Sequence, residues 1–155
     1  MPSLILIIDH IRSIHNVGCM FRCADGAGFG QIWICGYSPT PDDERTNKVA
    51  LGAEAVIPWQ HFDTATTAIK QAQEQGYQVI ALETGERAVN IFDAKTDDKP
   101  IALVVGHEVD GINPETLELC DHIWEIPMHG TKESLNVSVA AGIGMYAVAQ
   151  KFLSF

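Results

Sequence analysis

The segment from Ile126 to Val148, Ile-Pro-Met-His-Gly-Thr-Lys-Glu-Ser-Leu-Asn-Val-Ser-Val-Ala-Ala-Gly-Ile-Gly-Met-Tyr-Ala-Val, restricts the possible folds more than any other stretch. A strand is expected to end at Pro127, a polar loop to follow, and a helix to begin near Asn136. Between Leu135 and Val148 only Asn136, Ser138 and Tyr146 carry polar side-chain groups. A helix this apolar is expected to be covered on nearly every side, in the middle of the protein or against a second copy. The loop before it carries His129, Thr131, Lys132, Glu133, Ser134 and Asn136, more polar chemistry than a connection between two buried elements requires. Ser134 or Asn136 could cap the helix through its side-chain oxygen. A cap needs only one of them.

Upstream, short apolar runs alternate with helical patterns. Leu4–Ile8, Gln31–Cys35, Tyr77–Leu82, Ile101–Val105 and His122–Ile126 read as strands, the first and fourth as strands covered on both faces. Ala55–Ile57 is expected to add a short strand. Helices are expected from an Asn16 cap to about Ala27, from Phe62 to Gln75 and, after Asn113-Pro114, to about Cys120, with a helical turn at Lys48–Gly52. The segment Gly36–Thr46, with two prolines and Asp42-Asp-Glu44, reads as an exposed loop. This order predicts an α/β fold with a mostly parallel sheet covered by helices, whose ligands gather beyond the carboxyl ends of the strands.

Composition removes several classes. The 155 residues suit a single domain over 1–155, large enough to bury roughly 68–70% of the unfolded surface. Neither Leu4–Ile8 nor the last helix reaches the ~20 apolar residues of a membrane span, so a soluble, cytoplasmic protein is expected. Cys19, Cys23, Cys35 and Cys120 form no disulfide framework, and the six histidines have no spacing that joins them in a metal site. The net charge of −10 argues against broad attraction to polyanions. Arg12, Arg22, Arg45, Lys48 and Lys132 nevertheless lie in or beside the polar loops, and the sign of the whole does not set the sign of a cleft.

Gly26-Ala-Gly-Phe-Gly30 imitates part of a dinucleotide fingerprint, but it follows a helix and precedes a strand, so it reads as a helix stop. Three other stretches carry chemistry. In Asn16-Val-Gly-Cys-Met-Phe-Arg22, helical spacing places Arg22 between Gly18 and Gly26, leaving space around a guanidinium that would grip a phosphate or oxyanion; a surface pair with Asp25 is the plainer reading. In Gly106-His-Glu-Val-Asp-Gly111, glycines after a buried strand suit a loop that lines a pocket, and Glu108 could bind a ligand hydroxyl or amine or simply be solvated. The third stretch is the loop and helix from Ile126 onward.

In order and local wording these stretches resemble the SpoU (TrmH) family of RNA ribose 2'-O-methyltransferases, in the SPOUT superfamily: Asn-x-Gly-x-x-x-Arg, Gly-x-Glu-x-x-Gly, and Ile-Pro-Met followed by Ser-Leu-Asn-Val-Ser-Val-Ala. The resemblance implies a C-terminal trefoil knot, S-adenosylmethionine as methyl donor, tRNA or rRNA as acceptor, and a homodimer; the absence of metal is expected from the cysteine and histidine spacing alone. It implies that Gly106, Glu108, Ile126, Met128 and Leu135 line the donor pocket, that Asn16 and Arg22 act at the ribose, and that Glu108, Ser134 and Asn136 complete the site. Gly142 and Gly144 would let the last helix approach another backbone closely. A rival from another class is a catalytically silent, knotted, dimeric RNA-binding or scaffold protein.

Overall fold

The computed structural model describes residues 1–153. Seven strands form one sheet: β1 (Leu4–Asp9), β2 (Gln31–Cys35), β3 (Trp59–Phe62), β4 (Gln78–Leu82), β5 (Val89–Asn90), β6 (Ile101–Val105) and β7 (His122–Glu125). Their order across the sheet is β3-β2-β1-β6-β4-β7-β5, and every pairing is parallel. The six helices are α1 (Ile14–Ala27), α2 (Glu44–Ala50), α3 (Ala53–Val56), α4 (Ala65–Glu74), α5 (Pro114–Leu119) and α6 (Val137–Leu153).

The continuous apolar runs of β1 and β6 follow from burial on both faces. Leu4, Leu6 and Ile8 turn to one side, where Leu103 and Val105 join Met20 and Phe21 of α1 and Met145 and Val148 of α6. Ile5 and Ile7 turn to the other, where Ala102 and Val104 meet Ala68, Ile69 and Ala72 of α4. Period-two alternation thus divides one apolar strand between two cores. The interior strand β1 pairs Leu6 with Ile32 on one side and Leu103 on the other.

The elements depart from sequence expectation where the signals are local and weak. Ser13, not Asn16, caps α1, its hydroxyl accepting from the Asn16 amide at 3.2 Å. Ala55–Ile57 is no strand: Ala55 and Val56 end the short helix α3, and the strand lies further on at Trp59–Phe62. β3 is an edge strand with exposed Gln60 and His61, so the apolar triplet before it gives the stronger but false signal. Phe62 closes β3, and the next helix starts only at Ala65 behind a Thr64 cap. The turn expected at Lys48–Gly52 is the end of α2, which Asp43 caps, and the two-residue β5 has no sequence signal of its own. Asn113 and Pro114 open α5 as expected, and Gly28 ends α1 at φ 80°.

This chain covers the last helix only in part, which leaves cover by a second copy open. Ala141, Gly144, Met145 and Val148 are buried, but Val139 and Tyr146 are 50% and 47% exposed. Two glycines set how closely it lies on its neighbours. A Cβ at Gly144 would stand 2.9 Å from Leu82 Cδ2, and one at Gly142 would stand 3.2 Å from Cys23 Sγ. Both glycines therefore serve close contacts with side chains of this same chain, on the sheet and on α1. All four cysteines are free, Cys35 being the one fully buried, and burial pushes its thiol up to about 12. No helix among the described residues is long and apolar enough to cross a membrane, and no group of three or more potential ligands among them could hold a metal ion.

Gly18 is the tightest of the helix contacts: a Cβ there would come within 2.5 Å of Val49 Cβ and 2.9 Å of the Thr46 carbonyl oxygen. Gly18→Val is expected to cost about 1–3 kcal/mol through overpacking of α1 on α2. Gly130→Ala, with nothing near its new methyl, should stay within about 0.5 kcal/mol of wild type. Urea unfolding midpoints of the two variants measure the contrast.

Candidate functional site

The loops after β4, β6 and β7 meet at the carboxyl end of the sheet around a cleft of about 460 Å³. β4 and its continuation contribute Leu82, Glu83 and Thr84. The loop after β6 contributes residues from Gly106 to Ile112, and the segment after β7 contributes Ile126, Met128 and residues 133–135. The β6 loop folds back on itself, with His107 bridged to Gly111. That reversal needs Gly106, since a Cβ there would lie 2.6 Å from Ile112 Cγ1 and 2.7 Å from the Ile112 amide nitrogen. Gly111, at φ 67°, occupies a left-handed conformation that suits glycine. His107 Nδ1 accepts from the Val109 and Asp110 amides at 3.1 and 3.0 Å, which makes it an acceptor and fixes the neutral proton on Nε2. The 3.6 Å approach of Asp110 to the same nitrogen is therefore not an ion pair.

Glu108 fastens this loop to the start of α1. Its carboxylate accepts from the Arg12 amide at 3.0 and 3.2 Å, from the Ser13 amide at 2.8 Å and from Asn16 Nδ2 at 3.3 Å. Asn16, buried within α1, also accepts from Asn136 Nδ2 at 3.4 Å. Asn136 Oδ1 in turn caps α6, accepting from the Ser138 amide at 2.9 Å and the Ser138 hydroxyl at 2.6 Å. One polar chain therefore joins all three stretches. Burial acts to raise the Glu108 pKa, but the hydrogen bonds from Arg12, Ser13 and Asn16 outweigh it and hold the carboxyl below its ordinary 4.5.

Of the residues singled out in the sequence, Gly106, Glu108, Ile126, Met128, Ser134 and Leu135 stand on the cleft wall. Asn16 and Asn136 stand behind it in the polar chain, and neither is among the lining residues. Arg22 is elsewhere. It is exposed on α1 and makes no hydrogen bond or ion pair with a described residue, so the expected pair with Asp25 is not formed. It lies six residues beyond Asn16, about 9 Å along the axis and roughly 120° around it. The space expected beside it at Gly18 and Gly26 is occupied: α2 fills the first, and Tyr146 Oη would stand 2.6 Å from a Cβ at the second.

Glu83 escapes a reading from sequence. Its Oε2 accepts from the Ile112 amide at 2.9 Å and its Oε1 from the Thr84 amide at 3.0 Å, so it braces the β6 loop from the neighbouring strand. Its one sequence signal is its place, the first polar residue after the apolar run of β4. With Glu83, Glu108, Asp110, Glu125 and Glu133 on its lining and no lysine or arginine, the cleft favours positive over negative charge. Leu82, Ile112, Leu117, Ile126, Met128 and Leu135 supply apolar wall beside the carboxylates.

Known proteins share the sequence pattern and the fold. The model of the SpoU rRNA Methylase family matches residues 3–146. The 23S rRNA (guanosine-2'-O-)-methyltransferase RlmB of Vibrio parahaemolyticus is 36% identical over 151 residues, covering 97% of this chain and 60% of the relative. Its namesake from Nitrosomonas europaea is 32% identical, covering 94% of this chain and 55% of the relative. The chain thus spans well under two thirds of the length of these curated relatives. Among solved structures, an AdoMet-bound rRNA methyltransferase from Sinorhizobium meliloti superposes with a TM-score of 0.89 at 27% identity, over 97% of this chain and 56% of that one. A TrmH/SpoU tRNA modifying enzyme from A. aeolicus superposes with a TM-score of 0.87 at 27% identity, over 99% of this chain and 77% of that one.

Because the Glu108 carboxyl is held below its ordinary 4.5 in the folded state, its contribution to stability is complete above that value and is lost as pH falls through the lower, folded value. Glu108→Gln is expected to lower stability at neutral pH by about 1 kcal/mol, the low end for an ionic hydrogen-bond acceptor because the group is partly open to water. The gap between wild type and variant should close as the solution is taken below pH 4.5. Denaturant unfolding across that range reads the gap directly; one that widened in acid would contradict the sign.

Proposed function

The chain belongs to the SpoU rRNA methylase family, and from that premise we propose that it transfers the methyl group of S-adenosylmethionine to a ribose 2'-hydroxyl of RNA, with ribosomal RNA the first acceptor to try and transfer RNA the second. The observation that carries this reading is the character of the cleft: carboxylates and no cation on a partly apolar wall, closed by the glycine-turned β6 loop. The donor, when bound, supplies an activated methyl group on a positively charged sulfur. Gly106, Ile126, Met128 and Leu135 are the residues to hold it, through backbone groups and apolar side chains, and the surrounding carboxylates favour its positive charges. Glu108 serves by fixing the loop, not as a free ligand for the donor, because its oxygens are already engaged by Arg12, Ser13 and Asn16. Residues 1–155 act as one methyltransferase domain, at work in the cytoplasm, and the segment between β6 and α6 is threaded as a trefoil knot.

Arg22 gives the reading its second element. An arginine is almost never deprotonated, so its role is to stabilise oxyanion character at the ribose and to bind phosphate, not to remove the proton. Exposed and absent from the lining of its own cleft, it would do this where another surface meets α1. The uncovered face of α6, with Val139 and Tyr146, lies beside α1 in the same layer and supplies such a surface in a two-fold dimer. In that arrangement each Arg22 works at the partner's cleft and Ser134 completes the rim of its own. A silent RNA-binding scaffold is the outcome to which failure of the following tests would point.

Calorimetric titration should show saturable binding of S-adenosylhomocysteine to wild type, lost in Leu135→Trp, which fills the cleft. Arg22→Ala should keep that binding and its folding stability, yet lose about 10²- to 10³-fold in methyl transfer to an unmodified ribosomal transcript. Arg22→Lys, with the charge but not the planar fork, should remain well below wild type. Mixing Arg22→Ala with Leu135→Trp subunits should restore activity that neither has alone, since one of the two sites then combines an intact cleft with an intact arginine. No restoration, in mixtures that sedimentation shows to be dimers, would place Arg22 in its own subunit's site.

A further inference from the structure

Beyond the cleft, at the carboxyl ends of β1 and β2, the chain holds an aromatic pair in place at some conformational cost. His10 is one of two non-glycine residues among those described with positive φ, at 54°, a sparsely populated conformation that often marks functional sites. Its Nδ1–H donates to Asp9 Oδ1 at 2.7 Å, and Asp9 is buried, at 6% exposure. That bond fixes the ring's orientation and leaves Nε2 as an acceptor in the neutral tautomer. The imidazole packs edge to face with Tyr37, their centroids 4.8 Å apart and their planes at 85°.

The rest of the corner is built to carry this pair. Gly36, at φ 66°, underlies His10: any Cβ there would overlap Nε2, Cε1 and Cδ2 of the ring. The Gly36 carbonyl accepts from His61 Nε2 at 2.7 Å. Ser38 locks the loop from the other side, its hydroxyl accepting from the Ile11 amide at 2.8 Å and donating to the Cys35 carbonyl at 2.9 Å. Yet the object so carefully held is left in water, with Tyr37 59% exposed and the His10 side chain 40% exposed. A packing role would have covered them.

The geometry points to a seat for an unpaired nucleobase of the RNA acceptor, stacked on Tyr37 with a base N–H donating to His10 Nε2. This rests on RNA being the substrate, and position supports it: only Ile11 separates His10 from Arg12, at most about 7 Å of chain, and the Arg12 amide is bonded to Glu108 on the cleft wall. Charge supports it too. With Asp42 and Asp43 following in the same loop and Glu44 opening α2, of which only Asp43 is paired among the described residues, by Arg45, the surface next to Tyr37 is acidic and draws RNA poorly by its phosphates. The faces of bases are the part of RNA that an acidic protein can hold, and stacking on an aromatic ring needs no cation.

Binding of an unmodified ribosomal RNA transcript and of a transfer RNA transcript to wild type, Tyr37→Ala and Tyr37→Phe tests the seat, with S-adenosylhomocysteine affinity measured on each protein. Tyr37→Ala is expected to weaken binding of the recognised transcript about 5- to 100-fold, the worth of one stacked base. Tyr37→Phe should stay within about two-fold of wild type, and both should bind S-adenosylhomocysteine as wild type does. Thiouridine-substituted transcript should crosslink at Tyr37 and lose that crosslink in Tyr37→Ala. Wild-type affinity in Tyr37→Ala would overturn the seat while leaving RNA as the substrate. Failure of wild type to bind either transcript, with S-adenosylhomocysteine binding intact, would instead overturn the RNA reading and the seat with it.

Discussion

Glu108 sits where three distant parts of the chain must be kept in register, and it does so by accepting from two main-chain amides and one amide side chain of the first helix's entrance. An ionised carboxylate accepting several N–H donors is a strong, geometrically demanding connection. It sets the separation of the β1–α1 turn from the β6 loop, and through Asn16 and Asn136 it also sets where α6 begins. The cleft wall and the capped start of α6 are tied together through this one group. Glu83 repeats the device from β4, bracing the other side of the same loop.

The helical layer relies on a different constraint, the absence of side chains. Gly18, Gly26, Gly142 and Gly144 each remove a Cβ where α1 or α6 meets a neighbour: α2, Tyr146, Cys23 and the Leu82–Leu103 surface of the sheet. Close approach gives dense contact in the interior and leaves the outer faces of α1 and α6 side by side. Arg22 and Tyr146 are presented on that outer surface. The packing that brings the helices together thus also brings together the chemistry that a second copy would meet.

How much of this was legible in the sequence depended on whether the signal was continuous or relational. Leu4–Ile8, Gln31–Cys35 and Ile101–Val105 are readable as strands because unbroken apolar runs between turn residues have few other uses, and Asn113-Pro114 announces its helix chemically. Ala55–Ile57 misleads because three apolar residues carry no period. The polar loops mark themselves by glycine and by side chains with no burial purpose. The role of Asn16 is different: an asparagine near a helix start looks like a cap, and only the fold reveals that its partner Glu108 lies 92 residues on. The coverage of α6 is relational too, since composition reports how much apolar surface a helix has but not whether this chain or a second copy covers it.

Five carboxylates around one cleft raise the question of whether the two that are spent on backbone amides still act on a ligand. Glu83 and Glu108 have little hydrogen-bonding capacity left, but a hydrogen bond from an amide removes no net charge. The depressed Glu108 pKa means that its negative charge persists more firmly than that of an ordinary glutamate. Structural engagement and electrostatic attraction are therefore compatible in one group: the oxygens hold the loop while their charge, with that of Asp110, Glu125 and Glu133, biases the cavity toward cations. The same field repels phosphate. On the proposed reading, a chain of this charge would take a cationic donor into the cleft without help but would have to grip a polyanion at its margins, through the exposed arginine of α1 and the aromatic pair of His10 and Tyr37.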